Sequence, residues 1–195
     1  MKKYLFIICA VFFILTSCTK ENSPIADYMP YNNIPDNYSL DDAKNDNCVV
    51  YENSQITSGQ SVWDNFVAQT EEKTPCFVRL AFYYTLGDPE RYDPAYYEEI
   101  QDDYPVLYIQ DLTFDGKRYN LYSVEDGQEY SYTYKYLKKF EGKPSSSTAI
   151  YSDYIYYVLV NDESVTWEQI EHGMFSSRFG DWIDHKKVYS YMNLN

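Results

Sequence analysis

Histidine occurs only twice in this chain, glycine seven times and cysteine four times. Each scarcity removes options. The two histidines lie in no His-Glu-x-x-His arrangement or comparable metal-ligand spacing. His172, Asp184 and His185 are therefore weak as a metal or acid–base site, and surface or core-edge histidines are the plainer alternative. No Gly-x-Ser-x-Gly elbow is present, and Cys48 has no histidine beside it in sequence, so the usual nucleophile arrangements are missing. Gly87-Asp88-Pro89 lacks the further glycines and the lysine of a phosphate loop and reads as a turn and cap. Basic residues are few: 16 Lys+Arg stand against 30 Asp+Glu, a formal charge of −14. That balance repels phosphate backbones and anionic headgroups, which argues against nucleic acid as a partner. No apolar run approaches the ~20 residues that a membrane-spanning helix requires.

The longest apolar run, Tyr4 to Leu15, is instead placed and sized as the middle of a secretion signal. Lys2 and Lys3 precede it, and Leu15-Thr16-Ser17-Cys18 follows. Those four residues resemble the lipobox of bacterial lipoproteins: Leu three positions before the cut, small residues next, then Cys. The resemblance implies removal of residues 1–17, a palmitate-type lipid on the Cys18 sulfur and an acylated new amino terminus. An ordinary secretion signal with an incidental cysteine is the alternative. Several acyl chains on one residue hold a membrane far more durably than one. The implied location is the cell membrane or the outer membrane, lipid-anchored and extracytoplasmic. Thr19 is not the Asp that often marks inner-membrane retention in two-membrane bacteria.

With 17 of 195 residues removed, 178 remain, enough for one domain with a real core. The removed piece takes two Lys and no acid, so the remainder is more acidic still, and lipid must make the membrane contact. Tyrosine is abundant, 24 residues, and favours strands with an apolar body and a polar tip. Cys48 and Cys76 stay in a compartment that permits disulfides. They open or precede apolar runs, and parallel neighbouring strands would put them at one end of a sheet. A bridge and two buried free thiols are the competing readings.

Along the chain, 18–37 reads as a tether and 38–195 as a single α+β domain. Ser39 with an acid three residues on starts a short helix. A strand at Val49–Tyr51 precedes a helix from Ser58-Gly59 to about Glu72, with Val62, Trp63, Phe66, Val67 and Thr70 at helical spacing. A strand follows at Phe77–Thr85. Asp88-Pro89 and Asp93-Pro94 have the form of N-cap plus first-turn proline, the second opening a helix over Pro94–Gln101. Val106–Phe114, Arg118–Val124 and Gln128–Phe140, joined by Asp115-Gly116 and Asp126-Gly127, predict a three-stranded antiparallel meander over 106–140. A strand at Ile150–Val160, a helix capped by Thr166 and Gln169, and a strand at Lys186–Met192 complete the chain. The fold class is α+β: a mostly antiparallel sheet with two or three helices packed on it.

The residues Ile56-Thr57, Phe66-Val67, Arg79, Tyr84-Thr85, Gly87-Asp88-Pro89, Tyr92-Asp93 and Phe114-Asp115-Gly116-Lys117, in that order, resemble a family of small bacterial lipoproteins characterised only as a domain of unknown function. The likeness covers Ile56–Lys117, about a third of the mature chain, and Pro94–Pro105 departs from the simpler members. It implies a lipoprotein of this fold and brings no catalytic residue.

Three patterns remain as candidate sites. The acids Asp88, Glu90, Asp93, Glu98, Glu99, Asp102 and Asp103 suggest calcium, but match no EF-hand spacing and are equally caps and a solvated face. Paired carboxylates suggest glycoside hydrolysis, although catalytic pairs usually come from separate elements. Tyr130, Tyr132, Tyr134 and Tyr136 share a strand face, with Tyr154, Tyr156 and Tyr157 on another strand. They form an exposed aromatic stripe or, more plainly, the core side of a half-buried sheet. The expectation is a lipid-anchored, non-enzymatic binding domain with no catalytic residue, metal or cofactor. Its membrane contact is made through Cys18, its partner is a protein or glycan, and its binding patch is Tyr92, Tyr96, Tyr97 and Tyr104. A carboxylate-dependent hydrolase of envelope glycans and a structural or stress-related envelope protein are the alternatives.

Overall fold

The alternation of apolar and polar residues in the middle of the chain produces strands that bury one face each, and the turns between them set the order. The computed structural model describes residues 29–144 and 149–194. The signal-like segment and Cys18 lie outside the described residues. Six strands form one sheet: β1 (Val49–Glu52), β2 (Gln55–Ser58), β3 (Cys76–Tyr84), β4 (Val106–Phe114), β5 (Tyr119–Glu125) and β6 (Gln128–Tyr134), in the order β2-β1-β3-β4-β5-β6. β1 and β3 run parallel and the other pairs antiparallel. A second sheet holds β7 (Tyr136–Gly142), β8 (Tyr151–Val160) and β9 (His185–Leu194), all antiparallel. The chain is α+β, as its turn chemistry and periodicity indicated.

The Asp-Gly turns form where expected. Asp126 and Gly127 both take positive φ, 51° and 73°, the hand that matches strand twist. The predicted meander is right for β4, β5 and β6 but wrong in its last stretch. The run 128–140 breaks at Lys135, and β7 leaves to pair with β8 in the other sheet. A period-two pattern passes through such a bend unchanged, so alternation could not reveal it.

The two sheets share a core. Val49, Tyr51, Val78, Leu80, Leu112, Leu121 and Tyr134 of the large sheet meet Leu159, Val188 and Tyr189 of the small one. Helix α2 (Gln60–Glu71) adds Trp63 and Phe66, with the Trp63 ring stacked on Tyr189 at 4.6 Å. A buried ring of this size contributes about 2–3 kcal/mol. The outer face of the small sheet is covered by α4 (Trp167–Phe175), whose Ile170 meets Tyr156, Val158 and Val160. The outer face of the large sheet is covered by α1 (Leu40–Asn45) and the 3-10 turn Tyr31–Asn33, with Tyr31, Ile34 and Tyr38 against Ala43, Val50, Ala81 and Ile109. Packing therefore begins before residue 38. Residues 31–37, expected as tether, lie on the sheet because Tyr31, Ile34 and Tyr38 supply apolar surface to it.

Local sequence explains the starts. Ser39 with Asp42 and Thr166 with Gln169 form reciprocal capping boxes. Gly59 precedes α2 at φ +80°, where a Cβ would stand 2.3 Å from the Cys48 carbonyl oxygen, so glycine is required twice over. β2 was not legible: it is four residues, mostly polar, and its turn is Asn53-Ser54, both at positive φ, without glycine.

Of the two readings for Cys48 and Cys76, the structure shows the second: no bridge is formed and both are free buried thiols. The strands are parallel neighbours, as supposed, but Val49 pairs with Leu80, which puts Cys48 level with Arg79 rather than Cys76. Cys48 also faces the α1 side while Cys76 faces the core between the sheets. Burial pushes the Cys48 thiol up to about 11, despite the Tyr38 hydroxyl near its sulfur, and the Cys76 thiol up to about 12.

Candidate functional site

The segment 85–105 leaves β3 and returns to β4 at one end of the large sheet. Its first residue is clamped: Asn53 accepts the Thr85 backbone N–H at 3.1 Å and donates its amide to the Thr85 hydroxyl at 3.0 Å. Asp88 then caps a 3-10 turn at Pro89–Arg91, and Asp93 caps α3 (Pro94–Ile100), accepting from the N–H groups of Ala95 and Tyr96. Two of the clustered acids are thus occupied in starting helices. No residue of α3 is buried, so this element adds nothing to the core and projects from the domain.

On it, three of the four expected tyrosines meet. The Tyr92 ring lies 6.4 Å from Tyr96 and 5.7 Å from Tyr97. Tyr96 is 53% exposed, whereas Tyr92 and Tyr97 are half-buried against one another. Tyr104 is exposed at the start of β4, and no ring contact joins it to the three among the described residues. The structure therefore yields a three-ring cluster on a segment that carries seven acidic residues, with Tyr104 beside it in sequence only. Among the described residues no three carboxylates, histidines or cysteines are grouped closely enough to hold a metal ion.

The histidine set is scattered into structural contacts. His185 Nδ1 is 2.7 Å from the Ile183 carbonyl oxygen, and Asp184 accepts the Tyr134 hydroxyl at 3.0 Å. His172 borders a separate groove of about 600 Å³ with Asp162, Glu168 and Asp181. The tyrosine stripe is packing. Tyr134 is buried between the sheets, Tyr130 stacks on Tyr132, and Tyr136 lies beyond the bend at Lys135. Tyr154 and Tyr156 stack at 4.5 Å beneath Trp167.

Two features escaped the sequence reading. Phe175 at 83%, Phe179 at 95% and Trp182 at 53% exposure leave large apolar side chains at the surface at the end of α4 and in the turn after it, Trp182 lying 5.3 Å from the His185 ring. An amphipathic helix continuing into aromatic residues past its apolar stripe is the signal that could have found them. The second is a lysine-lined groove of about 710 Å³ where Lys73, Lys117 and the pair Lys135 and Lys138 meet from three separate stretches of chain. Their sequence separation hides them from any motif. Comparison with protein-family models, with curated proteins and with solved structures finds no match for this chain.

Proposed function

We propose that this chain is a lipid-anchored protein of the bacterial cell envelope that works by binding rather than by catalysis. One observation carries the anchoring: Leu15-Thr16-Ser17-Cys18 directly after a basic start and a dozen apolar residues. It also resembles, over Ile56–Lys117, a lipoprotein family of unknown activity. The binding part rests on the Tyr92–Tyr96–Tyr97 cluster, with Tyr96 exposed and the other two rings half-buried beside it, since aromatic rings left at a surface are suited to stacking on sugars or gripping a protein. The acids around it favour neutral sugars or basic proteins as occupants. The exposure of Phe175, Phe179 and Trp182 supports a second reading, in which the protein contact is made at the end of α4.

Fractionation of cells expressing the full chain tests the anchoring. The wild type should stay with membranes through high-salt and carbonate washes, and Cys18→Ala should leave the anchored fraction or accumulate uncut. Equal membrane retention of the Cys18→Ala chain at cleaved size contradicts the reading.

A further inference from the structure

The chain as a whole is strongly acidic, yet one concave site is lined by cations. The groove of about 710 Å³ is bordered by Lys73, Lys117, Lys135 and Lys138, with Glu163 as its one lining carboxylate and with Tyr119 and Tyr136 in its wall. Topology explains the convergence. Lys73 follows α2, Lys117 sits in the β4–β5 turn, and Lys135 is the bend between β6 and β7, so all three occupy connections at the same end of the large sheet. The opposite end carries segment 85–105 with its seven acids, and the Glu125-Asp126 turn. The acidic 85–105 segment and the lysine groove thus lie at opposite ends of the large sheet.

The roles of the lysines differ. Lys138 Nζ donates to the carbonyl oxygens of Glu163 and Val165, at 2.5 and 2.6 Å, and so holds the turn after β8. Lys73, Lys117 and Lys135 are exposed, and among the described residues none of them makes an ion pair; the pairs present involve Lys44, Arg79 and Lys139. Asp115, the nearest acid in the turn, directs its carboxylate to the backbone N–H groups of Lys117 and Arg118, both at 2.7 Å. These donors hold that carboxyl below its usual range. The turn's own acid is thereby folded back on the backbone, while its basic side chain borders the groove.

We infer that this groove binds an anionic oligosaccharide, a chain of sugars bearing carboxylate or sulfate groups. The inference rests on the binding reading above and gives it a second site and a ligand class. Volume in this range accepts a few sugar units. Lysines are compact charges on flexible stems, suited to oxyanions spaced along a chain, and the half-buried Tyr136 offers a ring beside them. Charge density selects among polyanions. Nucleic acid carries a charge every ~1.7 Å of helix axis. Glu163 lines the groove and Glu71 and Glu72 directly precede Lys73; acids within about one Debye length, ~8 Å at physiological salt, repel so dense a polymer, while those farther off are screened. A sugar chain with about one charge per residue presents fewer charges to those acids and still reaches the lysines.

The test uses the full chain in detergent, with calorimetric titration of an oligogalacturonate, a chondroitin sulfate oligosaccharide, maltohexaose, inorganic phosphate and a single-stranded oligodeoxynucleotide. The expected result is binding of either acidic oligosaccharide that weakens with added salt, with little response to the other three. Lys117→Gln and Lys135→Gln should each weaken it about tenfold, the loss of one charge-assisted contact, at unchanged melting temperature. No binding of either acidic oligosaccharide overturns the inference. So does equal binding of maltohexaose, of the oligodeoxynucleotide or of phosphate alone, and so does affinity unchanged in both variants. Tyr96→Ala run in parallel separates the sites: it should leave this titration unaltered, so failure here leaves the Tyr92–Tyr97 reading standing.

Discussion

Arg79 and Asp111 are direct cross-strand partners on β3 and β4 and close a two-pronged ion pair. Arg79 Nε donates to Asp111 Oδ1 at 2.7 Å and Nη2 to Oδ2 at 2.9 Å, with the arginine fully buried. Nη2 also donates to the Met29 carbonyl oxygen at 2.8 Å, which ties the beginning of the packed chain to the middle of the sheet. Burial disfavours the guanidinium charge, and the Asp111 carboxylate more than offsets it, so Arg79 holds its proton more firmly than usual.

Breaking that pair from one side leaves an uncompensated buried cation. Asp111→Ala should therefore lose about 3–5 kcal/mol of stability in urea denaturation. Replacing both partners, Arg79→Met with Asp111→Leu, should recover most of the loss, because no stranded charge remains. A loss below about 1 kcal/mol in the single variant would show that the pair is solvated and that residues 29–34 do not seal it.

Gly59→Ala should cost about 2 kcal/mol or more, because it combines a left-handed backbone with a Cβ 2.3 Å from the Cys48 carbonyl oxygen. Thermal melting reads this directly. Unchanged stability would mean that β1 and the start of α2 do not approach as described.

The buried thiols give a pH-dependent expectation. Both folded pKa values lie above the unfolded value, so the neutral thiols favour the fold fully below about pH 8.5. That contribution is lost as pH rises through about 11 for Cys48 and about 12 for Cys76. A thiol reagent at about pH 8 should label neither residue in the folded protein and both in denaturant. Rapid labelling of Cys48 or Cys76 without denaturant contradicts their burial.

On α3, Tyr96→Ala should shift stability by less than about 0.5 kcal/mol, as an exposed ring does, while Tyr97→Ala loses about 1 kcal/mol with its Tyr92 contact. Capture of neutral glycans or basic proteins from envelope extracts should fall in both. A large drop in melting temperature for Tyr96→Ala would make that ring part of the core and remove it from the binding patch.

What the sequence made legible follows from how local each signal is. The Ser39 and Thr166 boxes, the Asp88 and Asp93 caps and the Asp126-Gly127 turn are decided by neighbours within a few residues, and all form. The bend at Lys135 depends on β7 finding β8, and Arg79 opposite Asp111 depends on strand register. Neither is encoded nearby. The candidate sites divide the same way. Tyr92, Tyr96 and Tyr97 are close in sequence and meet, whereas the lysine groove assembles from three separate stretches, at Lys73, Lys117 and Lys135 with Lys138, and left no local trace. Between the two cysteine readings, register decides for free thiols: a shift of three residues and the opposite sheet face separate Cys48 from Cys76.

The lipid anchor on Cys18 is read from the amino-terminal peptide of the membrane-extracted protein by mass spectrometry. The amino-terminal peptide should begin at Cys18 and carry the mass of a thioether-linked diacylglycerol, with a further acyl chain on its amine. A mature chain that retains Met1, or that begins at an unmodified Cys18, would contradict it.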